Sequence, residues 1–149
     1  MIRTVILAML AASPGATADA PAASVLETSA SVPVDQDGCL DHTVRELGMS
    51  AKKQGTDRVW NIAPKFLHPS VAQGGTLTVR MEKGDKVSTV LVKATWPGGV
   101  KPKDVQPELE ARLVAMTGKM GQLCGVNRPD VKCTFTPAGA APTACNPTP

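Results

Sequence analysis

A chain of 149 residues with a formal charge of +3, two tryptophans, two phenylalanines and no tyrosine has room for one domain and not comfortably two. Its basic residues are scattered (Lys52-Lys53, Lys83, Lys86, Lys101, Lys103) rather than clustered as a phosphate backbone demands, so no nucleic-acid partner is expected. The shortage of rings argues against sites that stack bases or sugars, and it leaves Leu, Val and Met to fill the core.

Met1-Ile2-Arg3 supplies one positive charge, Val5 to Ala12 is a short apolar run, and Ala16-Thr17-Ala18 presents small residues where a signal peptidase reads. The run is far below the ~20 residues that span a bilayer. Residues 1–18 are therefore expected to be a cleavable export signal, cut after Ala18, with no membrane span; a cut after Ala20 would leave Pro21 just behind it. The expected location is the periplasm or the exterior. Residues 19–36, mostly Ala, Ser, Thr, Pro and Val, have the composition of a disordered lead-in.

One α+β domain is expected over 37–136. Leu40, Val44 and Leu47 recur at helical spacing, with Asp37 placed to cap a short N-terminal helix and Gly48 to close it. Arg58–Ala63 reads as a short strand stopped by Pro64. Leu77, Val79 and Met81 alternate with Thr76, Thr78, Arg80 and Glu82, and Val90, Val92, Ala94 and Trp96 alternate with Thr89, Leu91, Lys93 and Thr95. Joined through Lys83-Gly84-Asp85-Lys86, these are the strands of a hairpin. From about Asp104 a helix is expected, with Pro107 in its first turn, Glu108 and Glu110 at its positive end, and a stripe of Leu109, Leu113, Met116, Met120 and Leu123. Gly125 stands at its left-handed cap. Val131, Cys133 and Phe135 mark a last strand, and residues 137–149 read as a flexible Pro/Ala/Thr tail. The expected fold is a small antiparallel sheet of three or four strands, built on the central hairpin, packed against one amphipathic helix and stapled by disulfides.

Cys39, Cys124, Cys133 and Cys145 are even in number and follow an export signal, which favours two disulfides over a metal site: no C-x-x-C occurs, and only His42 and His68 could add imidazole. The spacing tilts toward Cys124–Cys133 with Cys39–Cys145, while Cys39 with Cys124 or with Cys133 stays open.

No catalytic constellation emerges. Asp41 and His42 adjoin but point about 100° apart on a helix, Ser50, Ser70 and Ser88 sit in no nucleophile motif, and His68 precedes Pro69 in an apolar segment. Asp35 and Asp37 lack the spacing of a calcium loop. Gly74-Gly75 and Gly98-Gly99 bound the hairpin as turn glycines, and Met116 and Met120 are in register with the core stripe. The run Gly75-Thr76-Leu77-Thr78-Val79-Arg80-Met81, with Gly84, Val87, Val90 to Val92 and then Leu109, resembles the strand–turn–strand–helix rhythm of TonB C-terminal domains over less than half the chain. The resemblance implies a β-β-α-β architecture and no shared function.

The expectation is thus a non-enzymatic exported protein without metal or cofactor that binds an envelope or secreted protein, in an inhibitor, immunity or assembly-accessory role. Its candidate binding face is the outer side of the hairpin: Thr78, Arg80, Glu82, Thr89, Leu91 and Lys93. The alternative is a small hydrolase or ligand carrier using His68 or His42, with Asp41, at the sheet edge.

Overall fold

A computed structural model describes residues 22–33, 38–46, 48–49, 51–53, 59–63, 66–67, 69–97 and 102–145. The expected export signal and its cleavage point, Asp35, Asp37 and His68 lie outside the described residues.

In chain order the elements are β1 (Ala23–Pro33), α1 (Cys39–Glu46), β2 (Ala51–Lys53), β3 (Val59–Ile62), α2 (Pro69–Ala72), β4 (Thr76–Lys83), β5 (Val87–Pro97), α3 (Pro102–Leu123), β6 (Lys132–Thr136) and β7 (Thr143–Ala144). The seven strands among the described residues join one antiparallel sheet in the order β2-β3-β4-β5-β1-β6-β7. A sheet of three or four strands against one helix is therefore not the fold. The hairpin β4–β5 is present, and its β5 is the fourth of the seven strands.

Next to β5, in the interior of the sheet, lies β1, drawn from the segment whose composition suggests disorder. It pairs along its whole length with β5, Ala23 opposite Pro97 through Pro33 opposite Val87, and over Val25–Ser29 with β6. Its inward residues Ser24, Leu26, Thr28, Ala30 and Val32 are all buried. Most are small for a packing reason, because α3 lies directly above. The Thr28 hydroxyl donates to the Leu113 carbonyl (3.5 Å) and shares a 2.6 Å hydrogen bond with Thr117. At Gly121 of α3, an added Cβ would stand 2.7 Å from Pro129 Cγ and 3.8 Å from Ala30 Cβ. Small polar residues thus mark the line where helix and strand approach most closely.

The remaining inward residues are the aliphatic rows that alternation indicates, with Leu77, Val79, Val90, Val92 and Ala94 at most 1% exposed. Trp96 stacks on Phe135 with ring centroids 5.9 Å apart. On α3, Leu109, Leu113 and Met120 are fully buried together with Thr117 and Cys124, whereas Met116 and Leu123 are half-buried. The buried row therefore passes through Thr117 and Cys124, one residue beyond Met116 and Leu123. The helix also begins at Pro102, so Pro107 lies in its interior rather than its first turn.

Both longer helices end on a glycine with positive φ, Gly48 at 66° and Gly125 at 95°. In each case the following amide reaches back five residues (Met49 to Val44, Val126 to Gly121) while the glycine amide reaches back three, satisfying carbonyls the helix would leave open. The Cys39–Cys124 disulfide, with Cα atoms 5.4 Å apart, ties the start of α1 to the end of α3. The second disulfide joins Cys133 of β6 to Cys145 just beyond β7. The favoured pairing is corrected to the one with Cys39 and Cys124 joined, and the tail is held as a two-residue edge strand up to Cys145.

Candidate functional site

The helices lie on one side of the sheet, and among the described residues no helix covers the other side. Its residues are the outward members of each strand, and the registers align them in rows that cross the sheet. One row is Asn61, Thr78, Lys93, Glu27, Thr134; the next is Val59, Arg80, Leu91, Ser29, Lys132; a third is Glu82, Thr89, Ser31. From β3 to β6 there are four inter-strand steps of about 4.8 Å, a face roughly 19 Å wide.

Five of the six residues expected to form the binding face, Thr78, Arg80, Glu82, Leu91 and Lys93, line a concavity of about 340 Å³ together with Glu27 and Val59. The sixth, Thr89, lines an adjoining hollow of about 400 Å³ with Ser29, Ser31 and Lys132. The two depressions touch along the register, since Leu91 is opposite Ser29 and Thr89 is opposite Glu82. The surface is mixed in charge. Arg80 and Glu82, both more than half exposed, approach to 3.8 Å, and Lys93 is the cross-strand neighbour of Glu27. Threonine hydroxyls and the half-buried Leu91 and Val59 lie between the charges.

Sequence reasoning found the hairpin part of this face because period two is clear there. Glu27, Ser29 and Ser31 escape it because the composition of β1 is that of a disordered lead-in. The signal was present, since Leu26, Thr28, Ala30 and Val32 alternate with outward Glu27, Ser29 and Ser31 over a stretch free of glycine.

Among the described residues, Asp41, His42, Glu108 and Glu110 do not come together in one site. Asp41 accepts a hydrogen bond from the Trp60 indole (3.0 Å), which pins α1 to β3. His42, with 62% of its side chain exposed, stands 4.0 Å from Glu46 on the same helix. Glu108 and Glu110 are not at the helix start: Glu108 pairs with Arg112 (3.0 Å), and buried Glu110 accepts from Gln106 (2.6 Å). No group of three or more potential metal ligands occurs among the described residues. No helix among them is long and apolar enough to cross a membrane.

No protein-family model, curated protein or solved structure matches this chain. The β-β-α-β rhythm is present as β4, β5, α3 and β6, with β1 inserted between β5 and β6 in the sheet.

Proposed function

We propose that this protein is an exported, non-enzymatic binding module whose uncovered sheet face holds an extended segment of an envelope or secreted protein. One observation carries the reading. Two adjoining concavities lie on a face that none of the described helices covers, and they carry both signs of charge, hydroxyls and scattered apolar contact. Such a surface suits a polar partner segment bearing both charges, because each cation and anion on it can meet its complement. Two disulfides fit an oxidising compartment, in keeping with the export signal read at the N-terminus.

The test is retention of a partner from envelope extract by oxidised protein, compared between wild type and Leu91→Arg. The substitution sets a long charged side chain where the concavities meet and leaves the inner face untouched. Loss of one stoichiometric partner from the variant, with an unchanged melting curve, is the expected result. Equal retention by both proteins would overturn the reading.

A further inference from the structure

The hollow at the β1–β6 end of the face has an origin that also defines its chemistry. β1 remains paired with β5 as far as Pro33, but β6 stops pairing with it at Ser29. Past that point the chain from α3 runs alongside instead. Pro129 is packed against Gly121 and Val131 against Gly118, so alternate residues of this connection are pinned to the helix. The residues that alternate with them, Arg128 and Asp130, are exposed, as is Lys132 where β6 begins. All three line the hollow.

The backbone contributes as well. The Cys145 amide donates to the Cys133 carbonyl (3.1 Å), so Cys133 turns its polar backbone groups toward β7, and Lys132 and Thr134 turn theirs toward β1. Their partners Ser29 and Glu27 therefore face β6. By the same alternation Ser31 directs its N–H and C=O to that side, where β6 no longer pairs with it. Into one hollow of about 400 Å³ come two cationic side chains, the hydroxyls of Ser29, Ser31 and Thr89, and the Ser31 backbone.

We propose that this hollow is a carboxylate-binding site. Arg128 and Lys132 supply charge-assisted hydrogen bonds, the Arg128 guanidinium in the paired geometry that suits a carboxylate, and the Ser31 N–H and neighbouring hydroxyls complete the donor set. Asp130 decides between anions. With two cations and one anion the ionised lining carries one net positive charge, which a monoanion balances; a phosphate dianion would bring its second charge against Asp130. The site is the second of the two concavities named above and deepens that reading; the carboxylate belongs to a partner's acidic side chain, a partner's C-terminus or a free small acid, and the three probes below tell these apart.

The experiment is an amide-shift NMR titration of the oxidised protein at low ionic strength with three probes: acetate, N-acetylglycine as a chain-end mimic, and N-acetylglutamate α-amide as a side-chain mimic. Saturable shifts at Ser29, Ser31, Thr89, Arg128 and Lys132 are expected, and the probe that binds tightest names the source of the carboxylate. Arg128→Ala and Lys132→Ala should each weaken binding about tenfold, whereas Asp130→Asn should tighten it several-fold. Shifts that stay linear, that centre on Arg80 and Lys93, or that persist in the Arg128→Ala/Lys132→Ala double variant would overturn the site. Because no partner protein is needed, failure here leaves the sheet-face reading standing, and loss of the partner reading leaves this one standing.

Discussion

Thr28 and Thr117 show how much a pair of small polar side chains can decide. Both are fully buried, and their mutual hydrogen bond with the onward link to the Leu113 carbonyl is what lets two hydroxyls lie between helix and sheet. Thr28→Val keeps the shape and removes the partner of Thr117, leaving a buried hydroxyl unsatisfied at a cost of about 1–3 kcal/mol. Adding Thr117→Val removes that orphan, so the double variant should recover part of the loss. Urea unfolding of the four proteins in a double-mutant cycle reads this directly, and strictly additive losses would refute the coupling. At the same scale Gly121 is a position where size alone matters. A methyl there meets Pro129 at once, so Gly121→Ala should cost about 1–3 kcal/mol by overpacking.

At the scale of elements, β1 carries most of the argument. A segment of Ala, Ser, Thr and Val reads as disordered by composition, since it lacks the large side chains that signal a core. Here the large side chains are supplied by α3 and β5, and β1 offers the small ones that let the helix come close. The hairpin was legible because Leu77, Val79, Met81, Val90 and Val92 are large and alternate with polar residues. The edge strands β2 and β7, of three and two residues, are too short to carry a period at all. If β1 is an interior strand, truncation through residue 34 should abolish cooperative unfolding rather than trim a mobile arm. Amides of Leu26–Ala30 should also exchange among the slowest, with those of β7 far faster. A truncated chain that still unfolds cooperatively would contradict the topology.

For the molecule as a whole, the two disulfides act on different parts of the fold. Cys39–Cys124 spans 85 residues and joins the two helices that cover the inner face, whereas Cys133–Cys145 spans 12 and pins an edge. Chain-entropy arguments give about 4.5 kcal/mol for the long loop and about 3 for the short one. Replacing Cys39 and Cys124 by Ala should therefore lower stability by about 1–2 kcal/mol more than replacing Cys133 and Cys145, as measured by denaturant unfolding under oxidising conditions. An equal or reversed ranking would mean that the long bridge contributes less than its span indicates. The pairing itself was not readable from the cysteine spacing, because connectivity depends on where the chain places β1 and α1. Once β1 takes its interior place between β5 and β6, the start of α1 is carried over to the end of α3. The proposed binding face was half legible for the same reason: Thr78, Arg80, Glu82, Thr89, Leu91 and Lys93 lie on a hairpin that announces itself, while Ser29, Ser31, Arg128 and Lys132 come together only through long-range pairing.

The central claim is that the uncovered sheet face, and not the helical layer, meets the partner. Amine-reactive crosslinking of the oxidised protein with its captured partner, followed by mass spectrometry, tests this most directly, because lysines mark both sides of the molecule. Lys93 and Lys132 stand on the sheet face, and Lys119 is exposed on α3. The account predicts partner crosslinks from Lys93 and Lys132 and none from Lys119; crosslinks that run through Lys119 and spare the sheet face would contradict it.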